Sequence, residues 1–392
     1  MFLPPLFVRD RARRRMTEPS LLAGVRVLDL SQYLPGPYAT QLLADMGAEV
    51  VKIEPPKGDP MRLLDGDTDD GVPGVTYRMI NAGKTILRLD LKAAEDQTRF
   101  QALVRGADIL IESFRPGVMA RLGFGPEPLR ALNPSLVHVA LTGWGYDGPY
   151  SERAGHDLNY MAIAGGLTAT GTPEQPTIPF PPVSDMASGM MAALAALGGL
   201  WRAQTSGQDM FLDVSIMETA LAWQGFGLNA MAEGKPVRRG QSLLSGGAAC
   251  YQLYRTADNR WLSVGALEEK FWAAFCSALG QPDWVARQHS DPLPQTELID
   301  LVSAVIAKQP LDHWLTVFAD RDCCVEPVLH WAEIPTHPHV KARDQLQESD
   351  GHLDVLAGLR IDGQPPRPRH PFKEMAADQL LEIWDLASPA GN

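Results

Sequence analysis

Three acid–base side chains stand where predicted strands, loops and helices meet. His156 follows the last strand of an alternating strand–helix region, Asp185 directly precedes a long apolar segment, and Glu268 lies between a strand and a helix. Imidazole and carboxylate groups are common proton donors and acceptors in enzymes. Active sites of open α/β sheets collect at the ends of such elements. The three residues are therefore candidates for proton-transfer chemistry.

Each candidate also has a simpler structural explanation. His156 could cap or pack against the helix that follows it. Asp185 has the side chain of an ideal N-cap, since its carboxylate can accept from the free amides of a first helical turn. Glu268 suits the start of a helix through the helix dipole. For each residue alone, the structural role is the favoured interpretation. The occurrence of all three at the ends of elements favours a functional site.

Several basic residues recur around the edge of the predicted sheet. These residues are Lys84, Arg88, Lys92, Arg115 and Arg121. A phosphate-rich ligand requires such charge, because arginine offers a forked donor and lysine a point charge. For any one of them, a solvated surface position is the simpler interpretation. No metal site is predicted, because His337 and His339 lack further ligands at a suitable spacing.

The elements that would position these groups alternate between strand and helix. The predicted strands are 25–30, 49–53, 86–91, 108–112 and 136–142, and the predicted helices are 39–46 and 95–105. Residues 33–38 are expected to form a turn, because Pro35 and Pro37 supply no amide donor to a strand. This alternation indicates a parallel sheet with helices on both faces. The first turn lacks GxGxxG, which weakens a nicotinamide or flavin interpretation.

Composition excludes several broad classes of protein. The chain has 392 residues, 45% of them hydrophobic and 21% charged, which is typical of a globular protein of about two domains. A net charge of −12 argues against nucleic-acid binding. The apolar segment 186–201 is shorter than the about 20 residues of a membrane span, so we expect a buried core helix and no membrane. Four cysteines without a regular framework favour a cytoplasmic location.

Several long motifs occur in one order along the chain. They are Leu22 to Leu30 (LAGVRVLDL), Pro35-Gly36-Pro37, Leu43 to Glu54 (LADMGAEVVKIE), Leu89 to Lys92 (LDLK), Glu112 to Gly117 (ESFRPG), Asn133-Pro134 and Ser206-Gly207-Gln208. Together they resemble the family III CoA-transferases, the CaiB/BaiF superfamily. The resemblance covers roughly 21–343.

The resemblance implies an α/β family III CoA-transferase fold. Its members have a large Rossmann-like domain and a small α/β domain, and two chains interlock as a homodimer. The expected organisation is a disordered or mis-assigned N-terminal extension over 1–20, in which Met16 is the true start, and a large CoA-binding domain over 21–229. The rest of the chain is expected to form a linker over 230–246, a small domain over 247–330, and a C-terminal tail over 331–392 that returns to pack on the large domain.

Within the family, the motifs are closest to those of the α-methylacyl-CoA racemases. Racemases carry Gly-His-Asp-x-Asn-Tyr, matched by Gly155 to Tyr160, where CoA-transferases commonly have tyrosine in place of His156. Racemases also carry a glutamate that matches Glu268. The resemblance makes Asp185 the aspartate shared by both activities, a nucleophile in the transferases and an acid–base group in the racemases.

The resemblance further implies an acyl-CoA substrate and no cofactor beyond its CoA part. The residues expected to contact CoA are Leu34, Pro35, Leu89, Asp90, Leu91, Lys92, Ser113, Phe114, Arg115, Arg121, Gly155 and Tyr160.

Three functions follow from these expectations. The first is 1,1-proton transfer at the α-carbon of a branched acyl-CoA, with His156, oriented by Glu268, on one face and Asp185 on the other. Amides of the helix after Asp185 would stabilise the enolate. The second is CoA transfer through an anhydride formed on Asp185. The third is acyl-CoA binding without catalysis, which the three acid–base side chains speak against.

Overall fold

A computed structural model describes residues 20–65, 71–349 and 352–386, and it divides the chain into two units. Of the described residues, those within 1–161, 181–222 and 338–392 form the first unit, and those within 162–180 and 223–337 form the second. Residues 162–180 and 223–229, which fall within the predicted large domain, thus group with the second unit. The predicted N-terminal extension lies outside the described residues except for Ser20, whose hydroxyl donates to the Met46 carbonyl.

Twelve strands and fifteen α-helices are assigned in the described residues. The strands are β1 Arg26–Leu30, β2 Glu49–Glu54, β3 Thr85–Arg88, β4 Ile109–Glu112, β5 Val137–Thr142, β6 Met210–Ser215, β7 Tyr251–Arg255, β8 Trp261–Gly265, β9 Val325–Pro327, β10 Leu346–Ser349, β11 His352–Val355 and β12 Lys373–Glu374. The helices are α1 Pro35–Asp45, α2 Val75–Asn81, α3 Ala94–Gly106, α4 Val118–Arg121, α5 Pro126–Leu132, α6 Asp157–Ile163, α7 Val183–Ser206, α8 Ile216–Ala222, α9 Gly225–Ala232, α10 Glu269–Ala278, α11 Arg287–Ser290, α12 Thr296–Ile306, α13 Leu311–Phe318, α14 Pro338–Ala342 and α15 Ala377–Ile383.

The first unit is built on a seven-stranded sheet in the order β12-β3-β2-β1-β4-β5-β6. Every pair in this sheet is parallel. Every residue of β4 and β5 is buried, as expected of central parallel strands covered on both faces. The order 3-2-1-4-5-6 is that of doubly wound nucleotide-binding sheets. Their ligands bind beyond the carboxyl ends of the strands where the order reverses, here between β1 and β4.

Helices cover both faces of this sheet, which confirms the predicted α/β class. On one face, α1 and α7 pack against apolar side chains that include Val27, Ile109 and Val139. On the other face, α3, α5 and α15 pack around Leu28, Leu110 and neighbouring residues. The C-terminal segment contributes to this second core through α15, and β12 extends the sheet beside β3.

Two local predictions were wrong at the ends of elements. Helix α1 begins at Pro35 rather than at residue 39, because a proline in the first turn gives up an amide that has no helical partner anyway. Strand β3 ends at Arg88 rather than at residue 91. The Asp96 carboxylate accepts from the Asp90 amide and the Asp90 carboxylate accepts from the Lys92 amide, so these groups leave the ladder for a turn.

Lys84 is a buried ion-pair partner, so its predicted position on a solvated or phosphate-binding surface was wrong. Its Nζ lies 3.2 Å from Asp29 Oδ2, and both side chains are fully buried. It also donates to the Pro37 carbonyl and the Thr40 hydroxyl, each at 2.8 Å. Burial lowers the pKa of Lys84 to about 8. The residue therefore ties the start of α1 to the end of β1.

The longest helix, α7, is long and apolar enough to cross a membrane by length and composition alone. Half of its most apolar window is buried in the structure, and buried Ala192, Ala196 and Leu200 belong to the core of the first unit. This agrees with the expected core helix. Its other side exposes Met190, Leu194 and Trp201, which are 57%, 63% and 71% accessible.

The second unit is a small α/β assembly, as predicted. Strands β7, β8 and β9 form an antiparallel sheet, and the β7–β8 turn places Asn259 at a φ of 62°. One face of the sheet packs against α10, α12 and α13 around buried Trp272, Phe275 and Trp314. The short loop between β8 and α10 carries Glu268.

Candidate active site

The loops that follow β1 and β4 meet at the crevice where the strand order reverses. The Gln32 amide donates to the Ser113 hydroxyl at 2.9 Å, which joins the two loops directly. The Phe114 amide donates to the Glu112 carboxylate at 2.6 Å and holds the second loop in place. Five predicted CoA contacts lie on these loops or directly after them: Leu34, Pro35, Ser113, Phe114 and Arg115.

The basic candidates for CoA binding all belong to the first unit. Lys92 stands in the turn after β3, Arg115 in the loop after β4, and Arg121 at the end of α4. All three are exposed, and none is paired with an acidic side chain among the described residues. Arg88, by contrast, lies 3.4 Å from the Glu374 carboxylate. The three unpaired cations are thus the ones available to a phosphate-bearing ligand.

The motif Gly155 to Tyr160 is a close-packed turn at the start of α6. The Tyr160 hydroxyl donates to the Gly155 carbonyl at 2.7 Å. A Cβ added at Gly155 would lie 2.8 Å from the Tyr160 ring and 3.1 Å from Trp144, so only glycine fits there. This contact fixes the backbone immediately before His156.

His156 starts this turn with its backbone engaged and its ring exposed. Its amide donates to the Asn159 side chain, and its carbonyl accepts from the amides of Asn159 and Tyr160. Among the described residues, none forms a hydrogen bond with the imidazole. The side chain therefore does not cap α6, and both ring nitrogens are available for chemistry.

Asp157, rather than Asp185, caps the long helix α7. Its Oδ1 accepts from the amides of Ser184 at 2.7 Å and Asp185 at 3.1 Å, and from the Ser184 hydroxyl at 2.6 Å. Asp185 is the third residue of α7, so the N-cap interpretation of this residue was wrong. The carboxylate next to His156 in the chain thus holds the backbone of Asp185.

The same hydrogen bonds correct a second expectation. The amides of Ser184 and Asp185 are occupied by Asp157, and the Met186 amide donates to the Pro182 carbonyl at 3.1 Å. The Met186 amide is the first of the amides after Asp185 that were expected to stabilise an enolate. It instead belongs to the hydrogen-bonded first turn of α7, which begins at Val183.

Asp185 has an unusually basic carboxylate. Burial, and secondly the nearby charge of Asp157, raise its pKa to about 7. Burial and the Asp185 charge likewise raise the pKa of Tyr160 to about 12. A carboxyl group with a pKa near neutrality can act as a base in one step and as an acid in the next.

Glu268 lies in the second unit, at the residue preceding α10. Its carboxylate is exposed and makes no capping hydrogen bond. The loop that carries it is fixed by neighbours: the Gly265 amide donates to the Cys324 carbonyl, and the Gln288 amide group donates to the Ala266 and Leu267 carbonyls. Orientation of His156 by Glu268 stays a prediction.

Replacing Asp157 with asparagine is expected to lower the pKa of Asp185. The substitution removes a negative neighbour but keeps an acceptor oxygen for the two amides. Burial, the larger cause, remains, so the pKa should stay above that of an exposed aspartate. NMR titration of the ¹³C-labelled Asp185 carboxyl measures this pKa, and the missing signal in Asp185→Asn assigns the resonance.

Asp157→Ala is the matched control for the capping role. It leaves the Ser184 and Asp185 amides without their acceptor and should destabilise the protein by about 1–3 kcal/mol. An unchanged Asp185 pKa in Asp157→Asn would show that burial alone raises it.

Comparison with known proteins places the chain in a family. The family model for CoA-transferase family III matches residues 22–371. The chain belongs to this family.

Two curated relatives and one solved structure illustrate the range of the family. The human α-methylacyl-CoA racemase is 34% identical over 93% of this chain and 94% of its own length. Succinyl-CoA–D-citramalate CoA-transferase from Chloroflexus aurantiacus is 32% identical over 89% of this chain and 88% of its own. The crystal structure of a CaiB/BaiF family protein from Brucella suis superposes with a TM-score of 0.81 at 23% identity, covering 94% and 100% of the two chains.

Proposed function

We propose that this enzyme interconverts the two configurations of an α-methylacyl-CoA by 1,1-proton transfer at the α-carbon. The proposal depends on Asp157. Its carboxylate accepts a hydrogen bond from the Asp185 amide, and Asp157 directly follows His156 in the chain. It brings two proton-transfer groups to one region of the first unit. The 34% identity to the human racemase supports the same function.

The chemistry needs one group on each face of the α-carbon. One group removes the α-proton and leaves an enolate of the thioester, and the other returns a proton to the opposite face. His156 serves one face, and Asp185 serves the other. A pKa of about 7 leaves Asp185 partly protonated at neutral pH, so it can start the cycle in either direction.

The CoA part of the substrate would occupy the crevice between β1 and β4. Leu34, Ser113 and Phe114 lie on loops at this crevice, and exposed Arg115 and Arg121 supply charge for phosphate groups. No cofactor beyond the CoA part of the substrate is required, because proton transfer uses only protein side chains.

CoA transfer between an acyl-CoA and a free carboxylate is the second candidate. The 32% identity to the Chloroflexus aurantiacus transferase favours it. Asp185 would attack the thioester carbonyl, expel CoA as the thiolate and carry the acyl group as an anhydride. His156 stands where CoA-transferases commonly have tyrosine, which ranks this function second.

The two functions differ in their need for an acceptor. We expect a 2-methylacyl-CoA to racemise at the same rate with or without an added carboxylic acid. Chiral chromatography of the acid released from the thioester measures racemisation, and mass spectrometry detects any CoA ester of the added acid. Appearance of that new ester, with no racemisation, would support the transferase instead.

The proposed active form is a homodimer of interlocked chains. The exposed apolar side chains Met190, Leu194 and Trp201 on α7 support association with a second copy. Sedimentation velocity should give a dimer, and Leu194→Glu should weaken it. A folded, active monomer at micromolar concentration would contradict the dimer.

A further inference from the structure

Tyr33 holds a backbone conformation that its residue type disfavours. Its φ is 61°, in the left-handed region where non-glycine residues are uncommon. The side chain is 49% exposed, so burial of the ring in the core does not explain the strain. Strained positions of this kind cluster at functional sites.

A buried ion pair enforces this conformation. Lys52 Nζ lies 3.0 Å from Asp59 Oδ2, and both side chains are fully buried. Lys52 also donates to the Ser31 carbonyl at 2.7 Å, and Asp59 Oδ1 accepts from the Tyr33 amide at 3.4 Å. The loop after β1 is therefore hydrogen-bonded on both sides of Gln32, at Ser31 and at Tyr33. The Gln32 amide itself donates to the Ser113 hydroxyl.

The loop presents the Tyr33 ring to His156. The two ring centroids lie 6.2 Å apart with an interplanar angle of 83°, an edge-on arrangement. This is the only aromatic contact of His156 within the described ranges. An exposed ring without a neighbour changes rotamer on the picosecond-to-nanosecond timescale.

We propose that Tyr33 is a positioning residue for His156. The Tyr33 ring blocks some of the rotamers that the His156 imidazole could otherwise adopt. The Lys52–Asp59 pair in turn fixes the Tyr33 ring, because Asp59 accepts from the Tyr33 amide. This inference rests on the proposed function, in which His156 must reach the α-proton within about 2.6–3.2 Å. Orientation of a reacting group before the chemical step raises kcat, because less freedom is lost in the transition state.

Three substitutions separate the ring from the backbone. Tyr33→Phe keeps the ring. Tyr33→Gly and Tyr33→Asn remove it, and both residues accept a positive φ without the strain that tyrosine bears. Tyr33→Phe should retain the parental kcat. Tyr33→Gly and Tyr33→Asn should lose roughly ten- to a hundredfold in kcat, with KM changed by less than about threefold.

A second readout does not depend on activity. ¹³C relaxation of the His156 ring, assigned by its absence in His156→Ala, should show greater ring mobility in Tyr33→Gly and Tyr33→Asn than in the parent or Tyr33→Phe. Unchanged ring mobility and kcat in both ring-deleted variants would overturn the inference. Increased His156 ring mobility in Tyr33→Gly and Tyr33→Asn, together with a parent protein that racemises no acyl-CoA, would support the positioning role and overturn the proposed function.

Discussion

Asp185→Asn is expected to abolish turnover while stabilising the protein above pH 7. Asparagine has no proton to exchange at the α-carbon and cannot form an anhydride, so both candidate activities require the carboxylate. The folded protein, however, holds this carboxyl group with its pKa raised to about 7 by burial and Asp157. Ionisation of Asp185 is therefore disfavoured in the folded state. Asparagine, which does not ionise, removes this destabilising contribution at high pH.

The sign of the stability change depends on pH. The folded-state pKa lies above the unfolded value, so the folded protein binds more protons between the two, and its stability falls as pH rises through that interval. At pH 8 the asparagine variant should be more stable than the parent by at most about 4 kcal/mol, the equivalent of about three pH units. Below pH 3.5 the difference should vanish. Chemical denaturation at both pH values measures it.

Two controls accompany this variant. Asp300→Asn removes one negative charge from the exposed side of α12 and should change neither activity nor stability appreciably. Hydroxylamine added during turnover of the parent should leave Asp185 unmodified, because a racemase never acylates it. A modified Asp185 peptide would identify the transferase pathway, and a stability loss at pH 8 in Asp185→Asn would contradict the raised pKa.

His156→Ala should reduce racemisation by about 10²–10⁴-fold, the usual contribution of one acid–base group. One configuration of the substrate loses its base. The other can still give its proton to Asp185 but has no donor on the opposite face. Solvent deuterium should therefore enter one configuration with retention while inversion is lost. Separate assays of each configuration in D₂O resolve the two effects.

His339→Ala provides the matched control, because His339 is an exposed histidine on α14 in the same unit. It should leave racemisation unchanged. If His156→Ala retains near-parental inversion in both directions, the assignment of His156 to one face is wrong.

The main elements of the fold could be predicted from local patterns. Apolar runs predicted β1, β2, β4 and β5 close to their observed bounds, because central parallel strands are apolar along their whole length. The start of α1 was missed because Pro35 reads as a turn residue, although it is equally suited to a first helical turn.

Two features could not be predicted because their partners are remote in sequence. The Lys84 partner, Asp29, lies 55 residues away, and only the folded chain shows that the lysine is buried against it. The Asp157 carboxylate binds the Asp185 amide across 28 residues. Asp157 lies in the Gly155–Tyr160 motif, which was singled out for His156. Its position next to His156 was the one sequence signal that indicated a role for Asp157 in the site.

The most direct test of the central claim is solvent exchange on a single configuration of a 2-methylacyl-CoA. The substrate is incubated with the parent protein in D₂O without any carboxylic acid acceptor. The proposed chemistry predicts one deuterium at the α-carbon and formation of the opposite configuration, and this inversion should be lost in Asp185→Asn. An α-carbon that stays fully protonated and uninverted, in a protein that passes CoA to an acceptor once one is added, would contradict it.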